Sequence, residues 1–109
     1  MNKIIAVDFD GTLCENKYPL AGEPNWPLIK YLNESQRDGA KIILWTCRSK
    51  KNLRLAIEWC RKKGLIFDEV NKNTKEAKKM FGGDSRKIYA DEYIDDKVNT
   101  SFDLPFHAN

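Results

Sequence analysis

The chain has no apolar run that approaches the ~18 residues needed to argue for a membrane span. It contains one histidine and three cysteines. Cys14, Cys47 and Cys60 show no CxxC spacing and have too few companions for a zinc site, which fits a reducing compartment. None is needed as a nucleophile, and Cys47 is expected to be a small space-filler. Internal repeats and low-complexity segments are absent, and so is the interleaving of aromatic and basic residues used by grooves for single-stranded nucleic acid. The first apolar run ends at Asp8. It is too short for a secretory signal, and the residues behind it are too acidic, so the expected location is a cytoplasm. His107, in Leu104-Pro105-Phe106-His107, is assigned no role.

The sequence has 109 residues, 41% of them hydrophobic and 32% charged. That is enough for one soluble globular domain over 1–109, with roughly two-thirds of the unfolded surface buried. A net charge of +3, from 19 basic against 16 acidic residues, is a mild excess that favours phosphorylated substrates without demanding nucleic acid. Arg61-Lys62-Lys63 and Lys78-Lys79 read as solvated helix faces.

Four short apolar runs alternate with helical patterns, the mark of a parallel α/β sheet. The expected strands are Lys3 to Asp8, Lys41 to Thr46, Leu65 to Val70 and Asp91 to Asp95. The second is continuously apolar, as a central strand covered on both faces should be. A first helix is capped by Asn25, tolerates Pro27 in its first turn, turns Leu28, Ile29 and Leu32 inward and stops at Gly39. Ser49 caps a second, with Leu53, Ala56, Ile57 and Cys60 inward and Gly64 at its C-terminus. Thr74 caps a third that ends at Gly82-Gly83. Between Cys14 and Pro24 a loop or small hairpin overhangs the catalytic edge. Trp26, Trp45 and Trp59 read as packing groups.

The most informative stretch is Asp8-Phe9-Asp10-Gly11-Thr12-Leu13, directly behind Ile4-Ile5-Ala6-Val7. An apolar run the length of one strand delivers two carboxylates to its carboxyl end, where open parallel sheets collect ligands. Two carboxylates that close repel each other unless a proton or a cation intervenes, which suggests a hard, oxygen-seeking ion such as Mg2+. The second strand ends in Thr46-Cys47-Arg48, where a hydroxyl, backbone N–H groups and a guanidinium suit phosphate oxygens. Asn71-Lys72 follow the third strand, and the fourth ends in Asp95-Asp96.

On these residues the chain resembles the haloacid dehalogenase-like superfamily, most of whose members are Mg2+-dependent phosphohydrolases, and specifically its small capless phosphatases. The resemblance spans nearly the whole chain. It implies a three-layer Rossmann-like α/β fold with a parallel sheet of four to five strands, helices on both faces and no cap domain. By the same resemblance Asp8 is the nucleophile that forms an aspartyl-phosphate, and Asp10 the general acid and base. Thr46 and a lysine hold the phosphoryl group. Mg2+ is held by Asp8, the Asp10 backbone carbonyl and Asp96, with Asp95 beside or within the shell. The lysine is Lys72 or Lys87. Strand polarity favours Lys72, because Lys87 enters from the far edge, roughly 15 Å away. Arg48 is a further candidate for gripping substrate. The aspartate at position 10 speaks for phosphoryl transfer, since true dehalogenases lack it.

The chain has no room for an inserted cap. Such an open site implies large substrates or a neighbouring subunit of a homo-oligomer as lid, with Tyr18 and Leu20 of the flap supplying what closure exists. The expected substrate is a sugar phosphate, nucleotide or similar small phosphate ester. A nucleic-acid end-processing phosphatase and a non-catalytic binding module of the same fold are the alternatives, and neither is favoured.

Overall fold

The computed structural model describes residues 2–96. His107 and its neighbours lie outside the described residues. Strand β1 (Ile4–Val7) is buried at every position, as is the apolar part of β4 (Lys41–Leu44). Two runs of β-branched and leucine side chains with no polar face are stable only between two apolar coverings. They pair in parallel, Ile5 with Ile42 and Val7 with Leu44. β5 (Glu69–Val70) joins the far side of β4, and β6 (Glu92–Ile94) the free side of β1. The sheet is parallel throughout, in the order β5-β4-β1-β6.

Side chains alternate across the sheet. Ile5, Val7, Ile42 and Leu44 face one core, shared with Leu28, Ile29 and Leu32 of α1 (Trp26–Arg37) and Ala56 and Cys60 of α2 (Lys50–Lys62). Ile4, Ala6 and Ile43 face a smaller cluster, shared with Ala77 of α3 (Lys75–Phe81) and with Ala90. The caps follow the residue chemistry. Asn25 Oδ1 accepts from Leu28 N–H at 3.3 Å, and Thr74 Oγ1 from Ala77 N–H at 3.2 Å. Ser49 occupies the N-cap of α2 without a side-chain bond. Among the described residues no helix is long and apolar enough to cross a membrane.

The third strand is shorter than its apolar run. Gly64, at φ +87°, closes α2, and Leu65 N–H bonds back to Cys60 O at 3.0 Å. Leu65 is therefore a buried contact behind a left-handed helix end, and the ladder begins only when Asp68 N–H reaches Ile42 O. The overhanging segment is an antiparallel hairpin of β2 (Cys14–Lys17) and β3 (Leu20–Pro24), with a cis peptide bond at Tyr18-Pro19. Only this hairpin and α1 lie between β1 and β4, and only α3 lies between β5 and β6.

Trp26 is an exception to the expected packing. As the first residue of α1 it turns outward and is 55% exposed. Trp59 does pack, edge-on to Phe9 with ring centroids 5.4 Å apart.

Candidate active site

The chain builds from β1 outward through β4 to β5, then returns across the sheet to β6 on the other side of β1. The order reverses between β1 and β6, and their carboxyl ends form the crevice where such sheets bind ligands. Asp8 follows β1; Asp95 and Asp96 follow β6. Asp8 N–H donates to Ile94 O at 3.0 Å, which fixes the two strand ends side by side. One carboxylate oxygen from each of Asp8, Asp95 and Asp96 lies within 4.8 Å of the others.

That crowding has an electrostatic consequence. Burial, opposed by a hydrogen bond from the Phe9 backbone and reinforced by Asp95, Asp10 and Asp96, pushes the Asp8 carboxyl up to about 6 from its ordinary 3.8. A divalent cation among the three carboxylates would relieve the repulsion, and an all-oxygen donor set is the kind Mg2+ takes. The backbone fits the same purpose. Gly11 has φ +78°, and a Cβ there would stand 3.0 Å from Asp96 Oδ2. Glycine takes this turn without strain and leaves the Asp96 carboxylate its place.

Asp8, Asp10, Thr46, Asp95 and Asp96 all line one open cavity of about 700 Å³. The five expected residues at the ends of β1, β4 and β6 are thus together. Thr46 is held by its backbone, with its N–H on Asn71 Oδ1 at 2.8 Å and its Oγ1 accepting from Arg48 N–H at 3.1 Å.

Two basic residues are placed otherwise. Lys72 is not among the lining residues, and its ammonium lies 3.5 Å from Glu69. The cause is local: Asn71 adopts φ +53°, so the turn after β5 sends the Asn71 amide into the cavity and Lys72 away from it. Lys87 does not line the cavity either; its carbonyl accepts from Asn73 and Ser85. Among the described residues, the basic residue that lines the cavity is Arg86.

Arg48 is turned inward. Its side chain is 1% exposed, and its Nε and Nη2 grip both oxygens of Asp10 at 2.9 and 2.8 Å. The other N–H groups reach backbone carbonyls of Pro19, Leu20 and Asn52 at 2.8 to 3.1 Å. The guanidinium also lies over the rings of Phe9 and Tyr18, 4.8 and 4.9 Å from their centroids. Arg48 therefore fastens the hairpin tip to Asp10 instead of standing open for substrate. Tyr18 and Leu20 are exposed and bear on Arg48, while Asn16 is the hairpin residue that lines the cavity.

Two more residues differ from their expected packing roles. Cys47 is exposed and Trp45 is 36% exposed, and both line the cavity. Both lie beyond the last paired residue of β4, where neighbouring strands no longer cover them.

No family model matches the chain, and no curated protein matches it. Among solved structures, a conserved protein from Bacteroides thetaiotaomicron is similar, with 42% identity and a TM-score of 0.78 over 90% of this chain and 78% of that one. The two chains belong to one family. At this TM-score they share the overall fold.

Proposed function

We propose that this protein is a Mg2+-dependent phosphohydrolase that cleaves phosphate monoesters through an aspartyl-phosphate on Asp8, in the manner of the capless haloacid dehalogenase-like phosphatases. Its fold is then their three-layer Rossmann-like domain, and its place the cytoplasm. One observation carries the reading: three carboxylates converge where the strand order reverses, and the cavity they open into also holds Thr46, Asp10 and Arg86. Isolated acidic turns have no reason to share one cavity with a threonine and an arginine.

In this reaction an Asp8 oxygen attacks phosphorus, and the bond from phosphorus to the leaving oxygen breaks. Asp10 rests as a carboxylate ion-paired with Arg48, so to give a proton to that oxygen it must first take one up from solvent as an Arg48 hydrogen bond lets go. Water then attacks the aspartyl-phosphate, passes a proton to Asp10 and restores the Asp8 carboxylate. Because Arg48 occupies both Asp10 oxygens, one of those hydrogen bonds must be surrendered in each proton transfer. The Thr46 hydroxyl, whose oxygen accepts from Arg48 N–H and whose proton is left to give, would bind an equatorial oxygen, and Arg86 takes the charge-stabilising part that the sequence suggested for Lys72. Asp8, Asp95 and Asp96 would hold Mg2+, which supplies positive charge as the anionic nucleophile and phosphate meet.

The test is phosphate release from a panel of sugar phosphates and nucleotides, with Mg2+ or with EDTA, for wild type and Asp8→Asn. We expect turnover that needs the metal and falls roughly 10³-fold or more in the variant. Equal turnover by Asp8→Asn, or turnover indifferent to EDTA, overturns the proposal.

A further inference from the structure

Trp45 N–H donates to Val7 O at 2.8 Å, which sets this residue on the strand adjoining Asp8, at the same level of the sheet. The indole meets Tyr93 at an interplanar angle of 62°, with centroids 5.4 Å apart. Tyr93 is itself fixed, since its hydroxyl donates to Ile88 O and accepts from Ala90 N–H at 3.1 Å. Trp45 is thus propped against an anchored ring, with over a third of its surface open, and Ile88 lines the same cavity nearby. An exposed tryptophan on a convex surface needs no explanation. This one lines a concave site, next to the acidic cluster, and with Ile88 gives the cavity apolar surface beside its carboxylates and amides. Asn16 and Asn71 add amide donors and acceptors to the same space.

We infer that the cavity selects phosphate monoesters carrying a planar aromatic ring, which packs on Trp45 while the phosphate lies against Thr46 and the acidic cluster. This rests on the phosphohydrolase reading for the phosphate end; the ring end is carried by Trp45, Tyr93 and Ile88. A sugar phosphate of the same size would leave the indole wet and forgo the contact.

Matched pairs isolate the ring. AMP and ribose 5-phosphate share phosphate and ribose and differ by the base. Benzyl phosphate and cyclohexylmethyl phosphate share a leaving group of similar basicity and differ in whether the ring is flat. Titration of Asp8→Asn with each ester in the presence of Mg2+, followed by calorimetry, reads binding without turnover. We expect the aromatic member of at least one pair to bind at least about fivefold tighter, the lower end of base–aromatic stacking. The first pair reports a ring held one sugar away, and the second a ring next to the phosphate. Trp45→Phe should keep a preference and Trp45→Leu should bring the ratio to about one. Equal affinities within both pairs, no binding of any ester, or a ratio unchanged in Trp45→Leu overturns the inference. The outcomes separate the two readings. Metal-dependent hydrolysis by wild type without aromatic preference removes the ring site alone. Aromatic preference in binding, with no ester hydrolysed by wild type, removes the phosphohydrolase reading.

Discussion

Replacing Arg48 by methionine keeps most of the side-chain volume and removes the charge, and should be among the most damaging single changes in the chain. Asp10 would lose both partners of its carboxylate while its side chain remains only 19% exposed. Breaking a buried ion pair from one side costs about 3–5 kcal/mol, because an uncompensated charge is left behind. Asp10 keeps some access to water, and the carbonyls of Pro19 and Leu20 lie in an exposed hairpin turn that can rehydrate. Both considerations favour the lower end, about 3 kcal/mol. For a domain of this size each kcal/mol moves the midpoint by about 4–8 °C, so Tm should fall by about 12–24 °C.

Urea unfolding of wild type, Arg48→Met, Asp10→Asn and the double variant completes a thermodynamic cycle. Most of the loss should reside in the pair, so the double variant should be about 2 kcal/mol more stable than the sum of the single changes implies. Arg48→Lys should recover only part, since an ammonium cannot grip two carboxylate oxygens and three carbonyls with a planar fork. A loss below 1 kcal/mol in Arg48→Met, or additive single changes, would refute the picture of Arg48 as the fastening between Asp10 and the hairpin.

Asp8→Asn should stabilise the metal-free protein at neutral pH. The folded carboxyl ionises near 6 against an ordinary 3.8, so Asp8's contribution is fully present below pH 3.8 and is lost as the pH rises through 6. Asparagine has no such loss, and after allowance for solvent screening the gain should be about 1–2 kcal/mol at pH 7.5 in EDTA, fading to nothing near pH 3.5; a larger gain in acid than at neutrality would contradict it. Gly11→Ala should cost about 1–2 kcal/mol by denaturant unfolding, from the left-handed backbone alone. It should also shrink the rise in Tm produced by Mg2+, because the new methyl group crowds Asp96 Oδ2; an unchanged response to Mg2+ would show that Asp96 does not face the ion.

The parts of this fold that could be read from the sequence are those where one physical rule acts alone. Ile4-Ile5-Ala6-Val7 and Ile42-Ile43-Leu44 have no polar face, so they had to be inner strands. Asn25 and Thr74 stand where an unpaired helix N-terminus needs an acceptor, and both supply it. Asp8, Thr46, Asp95 and Asp96 could be grouped because strand polarity sends every strand end to one edge. The rest depended on single torsions or distant contacts. A positive φ at Asn71 decides which of two adjacent side chains enters the cavity, and nothing in Asn71-Lys72 announces it. Arg48 faces inward because two hairpin carbonyls and Asp10 meet there, contacts 28 to 38 residues away in sequence. Arg86 belongs to an irregular segment with no periodicity to place it. The exposure of Trp45 was the more readable miss: an apolar run that outlasts its partner strands ends in solvent.

The division of labour among the four N- and C-terminal aspartates follows from the same geometry. If all four carboxylates faced the cavity unpaired, one divalent cation would leave it strongly negative, and a phosphate dianion would be repelled before any contact formed. Arg48 withdraws Asp10 from that count by holding it in a buried ion pair. In the proposed reaction Asp8, Asp95 and Asp96 would hold Mg2+, which would offset much of their charge as the substrate enters. In that reaction the pair would serve two ends: it would keep Asp10 oriented beside Asp8, and it would lower the electrostatic barrier to an anionic substrate. The hairpin is attached to the same guanidinium through the carbonyls of Pro19 and Leu20, so the overhanging strands and Asp10 share one anchor.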